Sequence, residues 1–371
     1  MVDMKWYNID DVDTLDTPAF VIYEQRMRDN IDIALDMVDN DTHRFRPHVK
    51  THKSLKISEI LISKGISKFK CATISEAEML ALALAPDILL AYQPQGPKIN
   101  RLISLIKKYP HSKFSCLIDN IILAENLSKI SQLEKVVIDV YVDINVGMNR
   151  TGIDVIDAFD FYKHCSNLDG LNIKGLHAYD GHIRDSNIKI RVQKCDEAFE
   201  KVEKVKSKLT ENGFSDPIII VGGSPSFPIH AKRKNVECSP GTFIFWDAGY
   251  RVNLPDQHFQ PAALVISRII SFPGVNLICL DLGHKSIASE NTLDKRVRFI
   301  NAPELEFISH SEEHLVVKTD RISEYKIGQV LYGIPYHVCP TTALFEKAQI
   351  VNNGKCSGTW EVTARNRSIT I

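Results

Sequence analysis

The chain has 371 residues, 45 basic against 46 acidic for a formal net charge of -1, and 44% hydrophobic content. That length accommodates a barrel plus a second domain, and the apolar content suits an ordinary packed core. A near-neutral chain supplies no global field for nucleic acid or a membrane surface, and no apolar run approaches membrane-spanning length.

The opening "MVDMKWYNIDDVD" lacks a charged segment followed by an apolar one, and eight cysteines are scattered without a framework. Free thiols in a reducing cytoplasm are expected. From Pro18 onward, β-branched runs alternate with helix-period segments. The strands read as "AFVIY", "RFRPHV", "KFKCAT", "DILLAY", "KFSCLI", "VVIDVYVDI", "NIKGLHAY" and "PIIIVGG". Helical stretches such as "SEAEMLALALA" and "INRLISLIKKY" lie between them. Eight strand–helix units in series predict an α/β fold, a (β/α)8 TIM-type barrel over residues 16–250. A doubly wound sheet stays open, because periodicity does not count closure. After Tyr250 the texture becomes strand and turn: "ALVISRIISFPG", "NLICLDLG", "ELEFISHSEEHLVVKT" and "QVLYGIPYHV". They predict a mainly-β C-terminal domain over residues 251–371, with residues 1–15 open to joining it.

Catalytic groups of a barrel gather at the carboxyl ends of its strands. On this reading Lys50 and His52 close the second strand, and Asn149 and Arg150 follow the sixth. Tyr179, Asp180 and His182 close the seventh, and Gly222, Gly223 and Ser224 follow the eighth. The stretch "RPHVKTHKS", residues 46–54, sets Lys50 among Arg46, His48 and His52. Positive neighbours lower a lysine pKa, and a neutral amine is what Schiff-base chemistry needs. A solvated basic loop is the plain alternative; a nucleic-acid patch is weak without a recurring basic stripe. A Gly-Gly-Ser turn after the last strand sits at the usual phosphate position of barrels, and Gly241 and Thr242 of "SPGTF" offer further amides. His337 and Cys339, alternating along an expected strand, are a zinc-type pair short of a closed site. Glu312, Glu313 and His314 are candidate companions for that pair, or else an exposed charged turn.

The motifs "RPHVKTHK", "ATISEAE", "VDINVGMNRTG", "GLHAYDGH", "ECSPGTFIFWD", "DLGHKS", "HVCPT" and "WEVTAR" follow one another from Thr17 to Arg365. In that order the chain resembles the D-threonine aldolase / D-serine dehydratase family, the alanine-racemase-like (fold-type III) enzymes of pyridoxal 5'-phosphate (PLP). The resemblance implies a PLP-binding barrel, a β-rich second domain, a divalent metal, a homodimer and a small D-amino acid substrate. It implies Lys50 as the lysine bonded to PLP, Arg150 near the ring's phenolic oxygen, and Tyr179 lining the pocket. Gly222, Gly223, Ser224, Gly241 and Thr242 would hold the phosphate, and His337 and Cys339 the metal. The sulphur ligand, where aldolases of the family often carry aspartate, favours zinc over manganese. It also tilts the reading, together with His182 as a catalytic group, toward dehydratase-type elimination to a keto acid and ammonia. Aldolase-type cleavage to glycine and an aldehyde follows closely; a racemase and a non-catalytic PLP-binding protein are more distant. Asp185 stands where the aldolases carry a histidine base, and Phe243 and Pro225 replace a tyrosine and a glycine of relatives. Glu237, just before "SPGTF", is the candidate partner of the ring nitrogen.

Overall fold

A computed structural model describes residues 6–371; residues 1–5, part of the opening segment weighed with the C-terminal domain, lie outside the described residues. The run "AFVIY" is a strand, β1 (Ala19–Tyr23), buried at every position. It does not begin the barrel, however. It pairs antiparallel with residues 263–266 and parallel with residues 349–351 of the β-rich unit.

The barrel unit comprises Ala34–Lys50, Ser54–Gly241 and Asn366–Ile371. Its strands are β2 (Lys68–Cys71), β3 (Asp87–Leu90), β4 (Lys113–Ile118), β5 (Ile138–Ile144), β6 (Leu171–Ala178), β7 (Ile218–Val221) and β8 (Glu237–Cys238). They form one seven-stranded sheet in sequence order, and every pair is parallel. Residues 45–48 join its two ends. Phe45 bridges Cys238 and His48 bridges Lys70, while the Arg46 N–H donates to the Cys238 carbonyl at 2.9 Å. The "RFRPHV" segment is therefore the first stave of the barrel rather than the second. The two-residue β8, too short to show a period, takes the last place.

Helices start where a polar side chain can hold the first free amides. Thr73, Asn120, Asp154 and Asn187 cap helices Ile74–Leu82, Ile121–Leu133, Val155–Cys165 and Ile188–Glu211 in this way. In β2 the alternation Lys-Phe-Lys-Cys gives each face one chemistry, and Phe69, Lys70 and Cys71 are all buried.

The second unit contains the described residues through Ile33, Thr51–Lys53 and Thr242–Arg365. Its further strands are β9 (Ala263–Gly274), β10 (Leu277–Leu280), β11 (Val297–Phe299), β12 (Glu306–His310), β13 (Leu315–Lys318), β14 (Val330–Pro335), β15 (Lys347–Asn352) and β16 (Lys355–Glu361). The nine-stranded sheet runs β12-β13-β10-β9-β1-β15-β16, with β14 pairing β9 and β11. Val21, Tyr23, Leu264, Ile266 and Val351 pack in its core. The expected α/β barrel and mainly-β C-terminal domain are thus both present. Among the described residues no helix is long and apolar enough to cross a membrane.

Candidate active site

Lys50 lies in a short 3-10 helix, Val49–Thr51, immediately after the stave at 45–48, and its backbone N–H donates to His48 Nδ1 at 3.3 Å. Its amine stands 5.8 Å from the ring centre of Tyr179, which follows β6. The Arg150 guanidinium lies 4.9 Å from the same ring centre, and the Lys70 amine 5.9 Å. Three cations share one tyrosine ring. Two of them come from residues expected in the site; the third, Lys70, does not.

The loop carrying Arg150 is built by Asn145, whose side-chain oxygen accepts from the N–H groups of Gly147 and Asn149 at 3.1 Å each. Gly147 adopts a φ of 125°, and a Cβ there would meet His182 Nε2 at 3.0 Å. The exposed His182 and the Arg150 loop are thereby brought together.

The basic motif around Lys50 does not act as one charge cluster. Arg46 is fully buried, with its guanidinium 2.7 Å from Glu237 and 2.6 Å from Asp87; Lys68 holds the other Glu237 oxygen. Burial opposes the Arg46 charge, but these two carboxylates outweigh it. Glu237 is committed to this network, which removes it as a partner for a cofactor ring nitrogen. Asp180 is committed likewise. Its carboxylate accepts from Ser226 at 2.7 Å and from His230 Nε2 at 2.8 Å. Burial would raise its pKa, and these hydrogen bonds hold it low instead. Among the described residues Asp180, Cys195 and His230 form a three-member cluster of metal-ligand type. Arg233 donates to the remaining His230 nitrogen at 3.2 Å, and burial pushes the Cys195 thiol far up. The cluster is satisfied as a hydrogen-bonded tie between protein groups.

The two expected phosphate turns meet. The Gly241 N–H donates to Ser224 Oγ at 3.2 Å. Gly222 adopts a φ of 74°, and a Cβ on Gly223 would lie 2.9 Å from the Tyr179 ring. Only glycine lets this turn pass so close to the ring. The amides of Gly222 and Gly223 donate within the chain, to the Ala178 carbonyl and Ser226 Oγ, so they fix the turn's shape. Cations without a carboxylate of their own, beside a glycine turn on one aromatic ring, fit an anionic aromatic ligand such as PLP.

In the second unit Thr242 belongs to a 3-10 helix, Thr242–Ile244, with its hydroxyl 3.6 Å from Cys339 Sγ. The Thr51 hydroxyl lies 3.2 Å from the same sulphur. His337 and Cys339 do not alternate along a strand. β14 ends at Pro335, and Cys339 lies in a short helix, Val338–Thr342. The helix brings imidazole and thiol together all the same. Burial disfavours charge on His337, yet its hydrogen bonds to Cys339 and Glu290 and the nearby Asp247 carboxylate raise its pKa to about 9. Burial also raises Asp247 itself to about 6. Glu290 bonds His337 Nδ1, the carboxylate–imidazole arrangement that orients a metal-binding histidine. Nitrogen, sulphur and oxygen donors of this kind fit a divalent ion of zinc type. Glu312 and Glu313 are instead paired with Lys285 on the surface, at 2.9 and 3.3 Å.

Sequence reading missed Lys70, Asp143, His177, Glu290 and Asp247. Asp143 of β5 accepts from His177 Nδ1 at 2.7 Å and from the Thr151 hydroxyl at 2.9 Å. The motifs mark none of these as site residues; Lys70, within "KFKC", alternates like a strand with one solvated face.

Comparison with known proteins agrees with this geometry. A model for "Alanine racemase, N-terminal domain" matches residues 22–248, and one for "Putative serine dehydratase domain" matches residues 262–351. A D-threonine aldolase of an Arthrobacter species is 28% identical over 363 residues, covering 95% of this chain and 94% of the relative. A D-threo-3-hydroxyaspartate dehydratase of Delftia sp. (strain HT23) is 23% identical over 376 residues, covering 94% and 97%. The solved D-threonine aldolase of Filomicrobium marinum superposes with a TM-score of 0.86 at 26% identity, covering 95% of this chain and 96% of that one. With a match spanning more than half of its length, the chain belongs to the alanine racemase N-terminal domain family.

Proposed function

We propose that this chain is a PLP- and divalent-metal-dependent lyase acting on D-β-hydroxy amino acids, which eliminates the β-hydroxyl to yield a keto acid and ammonia. The observation that carries the reading is the set of three cations around Tyr179 beside the Gly222–Ser224 turn. PLP, when bound, supplies an electron sink for the substrate's α-carbon. Lys50 is the residue that would hold it, and its amine is the group that takes the α-proton. Arg150 and Tyr179 would orient the ring system, and the Ser224 and Thr242 hydroxyls would hold the phosphate end, at turns whose shape Gly222, Gly223 and Gly241 fix.

His337 and Cys339 would bind the divalent ion, with Glu290 keeping the imidazole oriented through Nδ1. Such an ion supplies Lewis acidity toward the β-oxygen, and the thiolate favours zinc over manganese. His182, exposed beside the Arg150 loop, is the candidate proton donor for the departing hydroxyl. The same reading carries a homodimer working in the cytoplasm; sedimentation of the loaded protein tests the first of these.

Retro-aldol cleavage is the second reading, favoured by the D-threonine aldolase relative at 28% identity. One substrate separates the two. Incubation of the PLP- and zinc-loaded protein with D-threonine, with L-threonine as control, is expected to give 2-oxobutanoate and ammonia. Glycine plus acetaldehyde would replace elimination by aldol cleavage, and L-allo-threonine, from inversion at the α-carbon alone, would indicate a racemase.

A further inference from the structure

Lys70 is 98% enclosed by its surroundings, its residue exposure being 2%. Among the described residues its amine has neither a hydrogen-bond nor an ion-pair partner. The charged groups around it explain why. Arg46 and Lys50, from the segment before β2, are like charges. Asp143 of β5 faces it, but both carboxylate oxygens already accept, from His177 and from Thr151. Asp180, after β6, is occupied by Ser226 and His230. Buried His177 is neighbour to both Asp143 and Lys70 and stays biased to its neutral form, chiefly by burial. Asp143 and Asp180 favour a charge on Lys70 through space, but neither forms an ion pair with it, and burial together with Lys50 outweighs them. A buried cation without a partner is costly, so such a group either gives up its proton or awaits an anion. Its amine is directed at the ring of Tyr179, where Lys50 and Arg150 also converge and which the Gly223 turn approaches.

We propose that Lys70 is a further residue of the cofactor site, a buried amine that takes a proton from solvent onto Nζ when the anionic cofactor binds and serves as its electrostatic partner. The inference rests on the PLP reading above. Without ligand, burial and the neighbouring Lys50 lower the Lys70 pKa to about 7, so the amine is largely neutral at pH 8. A bound phosphorylated, phenolic ligand supplies the missing negative charge and restores the ammonium. Binding is then linked to uptake of about one proton, and affinity falls about tenfold per pH unit above neutrality from this group alone. Lys70 is a positioning residue in this account: it sets the charge balance of the site without touching the substrate.

The test is calorimetric titration of PLP into the cofactor-free full chain at pH 8, in two primary-amine-free buffers of different ionisation enthalpy. Wild type is compared with Lys70→Met and Lys70→Arg. The first variant has no titrating group, and the second is charged throughout, so either alone suffices if the other fails to fold. Protons exchanged by the cofactor and by Lys50 are common to all three proteins. The expected result is about one more proton taken up by the wild type than by either variant. A wild-type affinity that falls with pH about tenfold per unit more steeply than that of Lys70→Arg supports the same conclusion. Equal proton uptake in wild type and variants, with PLP still bound, overturns this inference and leaves the lyase reading intact. Failure of the wild type to bind PLP overturns both.

Discussion

Two groups of charged side chains in the barrel unit carry similar residues and differ in how they are paired. Arg46, Lys68, Asp87 and Glu237 form a network in which each cation meets a carboxylate, at 2.6 and 2.7 Å for Arg46. Lys50, Lys70 and Arg150 converge on Tyr179 without an acidic partner among the described residues. Buried polar groups of folded proteins are satisfied as a rule, so the first group explains itself; in the second, Arg150 is exposed and Lys50 half-buried, and buried Lys70 is the one the rule does not explain. The difference separates structure from function inside one motif: "RPHVK" contributes Arg46 to the paired network and Lys50 to the unpaired set. Charge in a sequence marks neither; pairing decides.

Substitution of the key amine should produce the largest effect. Lys50→Ala is expected to lower turnover of a D-β-hydroxy amino acid by about 10⁴-fold or more, while leaving stability within about 1 kcal/mol of wild type in urea denaturation. A large loss of stability would place Lys50 with the paired network instead. Arg46→Met should do the reverse. It leaves Glu237 with Lys68 alone and Asp87 without its guanidinium partner, and a cost of about 3 kcal/mol in the same denaturation experiment is expected. An unchanged midpoint would refute the structural role.

Next in size, Cys339→Ala should lower metal content and cut turnover by about 10²-fold, with bound PLP absorption retained. Full activity after exhaustive chelation would contradict the metal's place in the reaction. The smallest effect concerns pH. The Lys70 amine titrates near 7 in the folded chain and near its ordinary 10.5 when unfolded. Between those values the unfolded chain holds more protons, so stability of the cofactor-free protein should rise with pH. The slope from this group is at most about 1.4 kcal/mol per unit. Below pH 7 both states are protonated and the penalty is complete. Lys70→Met should flatten this rise; an unchanged slope would mean that Lys70 keeps its charge.

Much of the fold was legible because local period suffices for it. "KFSCLI" and "ALVISRIISFPG" coincide with β4 and β9 residue for residue. Pairing partners are not local, which is why "AFVIY" was recognised as a strand and placed in the wrong sheet. The "HVCPT" segment reads as extended, yet it turns into a helix. The Val338 N–H is held by Asp247, 91 positions away in sequence, and Thr341 and Thr342 return their hydroxyls to the carbonyls of His337 and Val338. No window on the sequence contains that contact.

The site was legible where a motif marks it, as at Lys50, Arg150 and Tyr179. It was illegible at Lys70, because "KFKC" alternates like a strand with one solvated face. In this closed barrel Lys70 is buried along with Phe69 and Cys71. Glu290 sits in an ordinary polar turn, and only the folded chain brings it to His337.

The central claim is that the unpaired cations mark the cofactor site and that Lys50 is the lysine bonded there. It is tested most directly by loading the wild-type chain with PLP, reducing with borohydride, digesting, and locating the pyridoxyl mass by tandem mass spectrometry. The account predicts modification of Lys50, in the peptide containing "RPHVK". Modification confined to another lysine, Lys70 included, or none at all, would contradict it.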